Sequence, residues 1–181
     1  SVSSGTAPDL MRMDIIWTPE FAKMGALESM NQFPEFLAMK DGLFEGPLST
    51  NLYDGEYYGV PLNTNTKAGI FSKAMLDKLG LDEIPKTLEE VIALKDKLGP
   101  EEYLIGCSGP STWGIFPYFY SLGGSFTNED YTKASGYFNS EESINAMNTI
   151  LQWYDEKILS PSILGGKPDN QNGVFDGQVL F

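Results

Sequence analysis

An α/β fold is the class this sequence predicts, and three observations carry the prediction. Short apolar runs such as Ile15-Ile16 and Leu104-Ile105 read as buried strands, because a strand covered on both faces is apolar without alternation. Segments with apolar residues at helical spacing lie between such runs, the clearest over residues 140–158. The two signals alternate along the chain instead of segregating into blocks, which is the α/β pattern.

Taken in order, residues 1–9 are small and polar and end in Ala7-Pro8-Asp9, a loop feeding the first strand. Asp14-Ile-Ile-Trp17 predicts that strand, with Trp17 at its carboxyl end, running into a helix over 19–30. Thr18 is the expected cap, Pro19 suits the first turn, and Glu20 lies where the helix dipole favours negative charge. Phe21, Met24, Ala26 and Leu27 form the expected inner face. A second short helical pattern surrounds Phe36, Leu37 and Met39, and Asp41-Gly42, Glu45-Gly46-Pro47 and Asp54-Gly55 predict turns. Residues 56–71 read as extended, but Pro61 cannot donate to a ladder and excludes one uninterrupted central strand. The polar break Asn63-Thr64-Asn65-Thr66 is either a crossing between lobes or a hairpin loop.

Beyond it, residues 74–79 predict a short helix stopped by Gly80. Thr87-Leu-Glu-Glu90 is a capping box opening a helix with Leu88, Val91, Ile92 and Leu98 inward. Residues 103–107 predict a strand, and 113–122 an aromatic-rich helix ending at Gly123-Gly124. The 140–158 helix would bury Ile144, Met147, Leu151, Tyr154 and Ile158, and 174–181 reads as a turn into a strand.

At 181 residues the chain suffices for one sizeable domain or two small lobes. With 25 acidic against 12 basic residues its net charge is −13, which argues against nucleic acid and anionic membrane surfaces as partners. No apolar run approaches the ~20 residues that span a bilayer, so no direct membrane insertion is expected of this segment. The N-terminus shows no charged, apolar signal. Having no histidine, the chain lacks Ser-His and Cys-His nucleophile chemistry, an imidazole acid or base, and most zinc sites. The single Cys107 excludes an intrachain disulfide and a thiolate cluster, and it reads as a buried strand thiol. No cofactor is indicated. Gly106-Cys-Ser-Gly109 lacks the spacing of a nucleophile elbow, and no phosphate-cradling glycine loop precedes a lysine. Asp169-Asn-Gln-Asn-Gly173 resembles a calcium loop, but Pro168 stands at the first ligand position and the terminal Glu is absent.

Several segments occur together in a known order. Gly5-Thr6-Ala7-Pro8-Asp9, Asp14-Ile-Ile-Trp17 and Gly25-Ala26-Leu27 resemble the first lobe of the sugar-binding, family 1 extracellular solute-binding proteins of ABC importers. Tyr58-Gly59-Val60-Pro61-Leu62-Asn63-Thr64-Asn65-Thr66-Lys67 is similar to that family's first interlobe crossing. Phe138-Asn139-Ser140-Glu141 and Phe175-Asp176-Gly177-Gln178-Val179 follow the family's order as well. The resemblance implies a periplasmic-binding-protein-like, two-lobed α/β fold, incomplete here: part of lobe I over 1–62, a crossing over 63–67, and most of lobe II over 68–181 without the return crossing. It therefore implies a fragment. The implied function is capture of a carbohydrate outside the cytoplasm by two-lobe closure, in partnership with ABC permease subunits. The full-length protein would be extracellular or periplasmic and lipid-anchored at the cell surface; the anchoring cysteine expected of the family is not in this sequence.

The resemblance also assigns contacts. Sugars present flat C–H faces, which aromatic rings cover, and hydroxyls, which Asn, Asp and Glu can satisfy. Trp17 would stack, Glu20 would accept from hydroxyls, and Asn65 matches a ligand-contacting position, with Asn63 close by. In lobe II, Trp113 takes the place of a stacking aromatic and Ser111 that of its polar neighbour, while Phe116 and Tyr120 either extend that wall along the helix face or, the plainer reading, belong to the core. Each has a plainer explanation: a tryptophan at a strand end is most often core, Glu20 a helix-start charge, and Asn63 and Asn65 turn residues. Two other functions stay open at this stage. One is a carboxylate glycoside hydrolase using two of Glu20, Asp54 and Asp176; the other is an interaction domain with no ligand.

Overall fold

The structure, a computed structural model, describes residues 4–181, so residues 1–3 of the expected N-terminal loop lie outside the described residues. The chain divides into two compact units, Ser1–Lys67 and Ala68–Phe181.

In the first unit the expected strand at 14–17 is a helical turn instead. Asp14 Oδ1 accepts the Ile16 N–H at 3.2 Å and the Asp14 carbonyl accepts the Trp17 N–H at 3.1 Å, winding Ile15–Trp17 into a 3₁₀ turn. An aspartate that bonds the backbone two residues on offers the chain this turn in place of a sheet ladder. Ile15 and Ile16 are 52% and 73% exposed, the opposite of a buried strand. Helix α1 (Thr18–Lys23) follows directly, with Trp17 at its N-cap and Thr18 already buried in the first turn, so Thr18 is not the cap. The helix ends before Gly25, whose φ of 66° stops it short of the expected residue 30, and Met24 is exposed.

Helix α2 (Pro34–Met39) buries Phe36, whose ring lies 5.5 Å from that of Tyr57. Helix α3 (Glu45–Ser49) leads into the hairpin β1 (Leu52–Tyr53) and β2 (Glu56–Tyr57), in which Leu52 faces Tyr57. Asp54 and Gly55 make its turn at φ 50° and 81°, as the Asp-Gly pair predicts for a tight hairpin whose two central residues both need positive φ. Side chains tie the hairpin to the Met30–Gln32 turn: the Ser29 hydroxyl donates to the Glu56 carboxylate, and Asn31 Oδ1 accepts the Tyr57 N–H at 3.2 Å.

The second unit is built on parallel extended segments. Tyr103 pairs with Val179 and Ile105 with Leu159, both parallel, so residues 103–106 run between 158–160 and 178–181. Tyr103 N–H donates to the Gln178 carbonyl and its own carbonyl accepts the Leu180 N–H, Gly106 N–H reaches the Phe181 carbonyl, and Ser72 N–H reaches that of Leu180. Leu104, Ile105, Leu159 and Leu180 are at most 1% exposed, which is why these runs are apolar without alternation. Helices α4 (Lys73–Leu79), α5 (Leu88–Ile92), α6 (Thr112–Ser121), α7 (Glu141–Asp155) and α8 (Asn170–Phe175) complete the unit, giving the expected α/β class. α4 stops at Gly80 with φ 73°, as expected. Thr87 caps α5 by accepting the Glu90 N–H at 3.2 Å, while the Glu90 carboxylate reaches the Lys86 N–H; α5 is shorter than expected and is followed by a separate turn, Lys95–Lys97.

Two expectations in this unit are corrected. α7 buries Ser143, Ala146, Ile150 and Trp153; of the expected inner face, Ile158 just past the helix is buried and Met147 and Tyr154 pack against the core, whereas Ile144 and Leu151 are 52% and 58% exposed. Small residues at 143 and 146 let α7 come close to α6, and Trp153 meets the Tyr118 ring edge-on at 6.3 Å, so packing shifts the buried stripe away from Ile144 and Leu151. At the chain end, Val174 and Phe175 belong to α8, and the turn is at Gly177, φ 71°, before the extended residues 178–181.

Candidate functional site

In the first unit, Trp17 closes the 3₁₀ turn and stands 47% exposed, its ring 6.4 Å from Phe21. Glu20 is exposed in the first turn of α1, three residues on, which is the spacing that puts two side chains on one helix face. The turn therefore presents a half-exposed indole and a carboxylate together. Asn63 and Asn65 are exposed within residues 58–72, a stretch without helix. Of the hydrolase candidates, Asp54 occupies the hairpin turn of the first unit, and Asp176 follows α8 in the second.

In the second unit, the chain leaves the extended residues 103–106 and enters α6 through residues 107–111. Ser111 caps α6, its hydroxyl oxygen accepting the Gly114 N–H at 3.2 Å, which leaves the hydroxyl proton free to donate outward. Trp113 is 58% exposed on the first turn. This is the carboxyl end of a parallel extended segment, where open α/β sheets place their ligands. Phe116 and Tyr120 turn to one another and to Phe126, with centroids 4.6–5.7 Å apart, and Phe126 stacks on Phe138. Cys107 is buried, its thiol donating to the Gly109 carbonyl at 3.3 Å.

A concavity of about 380 Å³ in this unit is lined in part by Lys167, Asp169 and Asn172. These three polar groups are used on one another. The Asp169 carboxylate accepts the Asn172 N–H at 2.8 Å, the Asn172 side-chain amide at 2.9 Å and Lys167 Nζ at 3.0 Å, which together hold its carboxyl far below the ordinary range. The segment that resembled a calcium loop is thus a capped helix start. Among the described residues no group of three or more acidic or cysteine side chains could hold a metal ion, and no helix is long and apolar enough to cross a membrane.

Comparison with known proteins supplies the remaining facts. The family model described as bacterial extracellular solute-binding protein matches residues 1–179. A probable sugar-binding periplasmic protein of Rhizobium meliloti is 31% identical over 141 residues, covering 74% of this chain and 32% of its own. An ABC-transporter solute-binding protein from Thermotoga lettingae, bound with α-D-tagatose, superposes with TM-score 0.71 at 27% identity over 99% of this chain and 48% of its own. The sugar-binding protein MalE of Xanthomonas citri superposes with TM-score 0.78 at 23% identity over 99% of this chain and 46% of its own. The chain spans under half the length of the relatives it matches. The periplasmic-binding-protein-like fold expected from the sequence is the fold found.

Proposed function

Because the chain belongs to the bacterial extracellular solute-binding protein family, we propose that it captures a carbohydrate outside the cytoplasm as part of the solute-binding component of an ABC importer. The family and the solved relatives are binding proteins rather than enzymes. The observation that carries the reading is Trp113: a 58% exposed indole on the first turn of α6, at the carboxyl end of a parallel segment. An exposed ring of that size in a fold of this kind supports a stacking surface more than spare core.

In this proposal Trp17 and Trp113 stack on sugar C–H faces, Glu20 accepts from hydroxyls, Ser111 donates its proton, and Asn63 and Asn65 serve further hydroxyls. Amide and carboxylate side chains suit this role because a hydroxyl both donates and accepts. Capture by lobe closure, delivery to transmembrane permease subunits and a lipid anchor on the full-length protein belong to the same proposal.

The test is a thermal-shift and tryptophan-fluorescence titration of this chain with α-D-tagatose and maltotriose. Binding raises the melting temperature, since a ligand at a hundred times its Kd stabilises the folded state by about 2.7 kcal/mol. Trp17→Ala and Trp113→Ala each weaken the response. Unchanged affinity in both variants would sink the site assignment. Turnover of chromogenic glycosides, abolished by Glu20→Gln, would favour the hydrolase. If no sugar shifts the melting temperature, the interaction-domain reading gains.

A further inference from the structure

The loop that delivers Trp113 is held at three points. At its start the Tyr118 hydroxyl donates to the Gly106 carbonyl at 2.9 Å. In its middle the Cys107 thiol donates to the Gly109 carbonyl at 3.3 Å. At its end that same Gly109 carbonyl rests against the bare Cα of Gly114: a Cβ there would stand 2.3 Å from the oxygen and 3.3 Å from Cys107 Sγ. Ordinary contact begins at 3.4 Å, so a methyl group at 114 must separate loop and helix by about 1 Å, the difference between 3.4 and 2.3 Å.

That separation falls on the candidate contacts themselves. Gly114 directly follows Trp113, and its N–H is the group that Ser111 caps. Burial raises the Tyr118 hydroxyl well above the ordinary tyrosine range, so it remains a donor at physiological pH. Its ring stands edge-on to Trp153 at 6.3 Å and to Phe181 at 6.4 Å, which fixes where the hydroxyl points.

We propose that Gly114 and Tyr118 are positioning residues: by holding residues 106–111 against the start of α6, they set where the Trp113 indole meets its ligand. The proposal rests on the carbohydrate reading for its consequence, because ring stacking loses a quarter to a half of its attraction over a gap of about 0.5–1 Å.

Incorporation of 5-fluorotryptophan into the full chain gives one ¹⁹F resonance each for Trp17, Trp113 and Trp153, assigned by Trp→Phe substitution. Gly114→Ala and Tyr118→Phe shift the Trp113 line and leave the Trp17 line in place. Both raise the Kd about tenfold for whichever of maltotriose and α-D-tagatose the unsubstituted chain binds. Tyr118→Phe keeps the packed ring, so it remains informative if Gly114→Ala fails to fold. A folded Tyr118→Phe protein with an unmoved Trp113 line overturns the positioning role. So does a Trp113→Ala protein that loses affinity while both positioning variants keep it. If the unsubstituted chain binds neither sugar, the carbohydrate reading falls, and the fluorine line alone decides the positioning.

Discussion

Replacing Ser143 with Ala should lower the free energy of unfolding by about 2–3 kcal/mol. Ser143 is 1% exposed, and its oxygen accepts the Ser125 N–H at 3.0 Å while its hydroxyl faces the carbonyls of Tyr137 at 2.7 Å and Ser125 at 3.1 Å. One proton serves the two carbonyls, so the substitution removes about one net donated bond, worth about 0.5–1.5 kcal/mol. It also strips the Ser125 N–H of its partner, a desolvation cost of about 1–3 kcal/mol. The α7 start is untouched, since Ser140 still accepts the residue-143 N–H at 3.1 Å. For a chain of this size the loss corresponds to a melting temperature about 5–10 °C lower. Urea denaturation followed by circular dichroism measures it directly: the midpoint falls and the m-value holds. Ser140→Ala, which removes the cap and its exposed contact with Glu142, costs about 1 kcal/mol and is the internal standard. If Ser143→Ala costs no more than that standard, the hydroxyl does not carry the junction between α7 and residues 125–137.

The buried face of α7 is tested by two neighbouring substitutions: Ile150→Ala should cost about 2–5 kcal/mol and Leu151→Ala no more than about 0.5 kcal/mol in the same denaturation assay, and equal losses would return the face to the one read from spacing. Asp169→Asn keeps a competent cap but removes the charge held by Asn172 and Lys167. Because the folded carboxyl lies below its unfolded value near 3.9, its stabilisation is complete above that pH and is lost as pH falls through the folded value. The melting temperature of Asp169→Asn should therefore lie below that of the unsubstituted chain at pH 7, with the gap narrowing from about pH 4 downward; a gap constant to pH 2 would contradict the charge account.

Local chemistry was read well at several positions where a residue acts on its own backbone, Thr18 excepted. Asp54-Gly55, Gly80 and Thr87 stand where turn, stop and cap residues were expected, because positive φ and first-turn N–H groups are demands met within four or five residues. The failure at Asp14 came from the same kind of interaction: its side chain claims the Ile16 N–H and winds two β-branched residues into a helical turn. In the candidate site, Trp113 at a helix start was legible, whereas the capping role of Ser111 and the parts played by Gly114 and Tyr118 were not. Gly114 looks like any glycine until the Gly109 carbonyl is found against it, and Tyr118 is one aromatic among several until Gly106 is found beneath its hydroxyl.

By itself the sequence determined the α/β class, the family, the absence of histidine chemistry and the run of apolar segments that become the parallel centre of the second unit. The class, the missing histidine chemistry and the apolar segments are set by composition and short-range order, while the family rests on motifs that resemble it in order along the chain and on the family match. Only the tertiary structure decided which face of α7 is buried, whether Ile15 and Ile16 meet solvent, and what holds the loop before Trp113. Each of these depends on a partner distant in sequence or on competition between a side chain and a ladder, and spacing along one segment contains neither term.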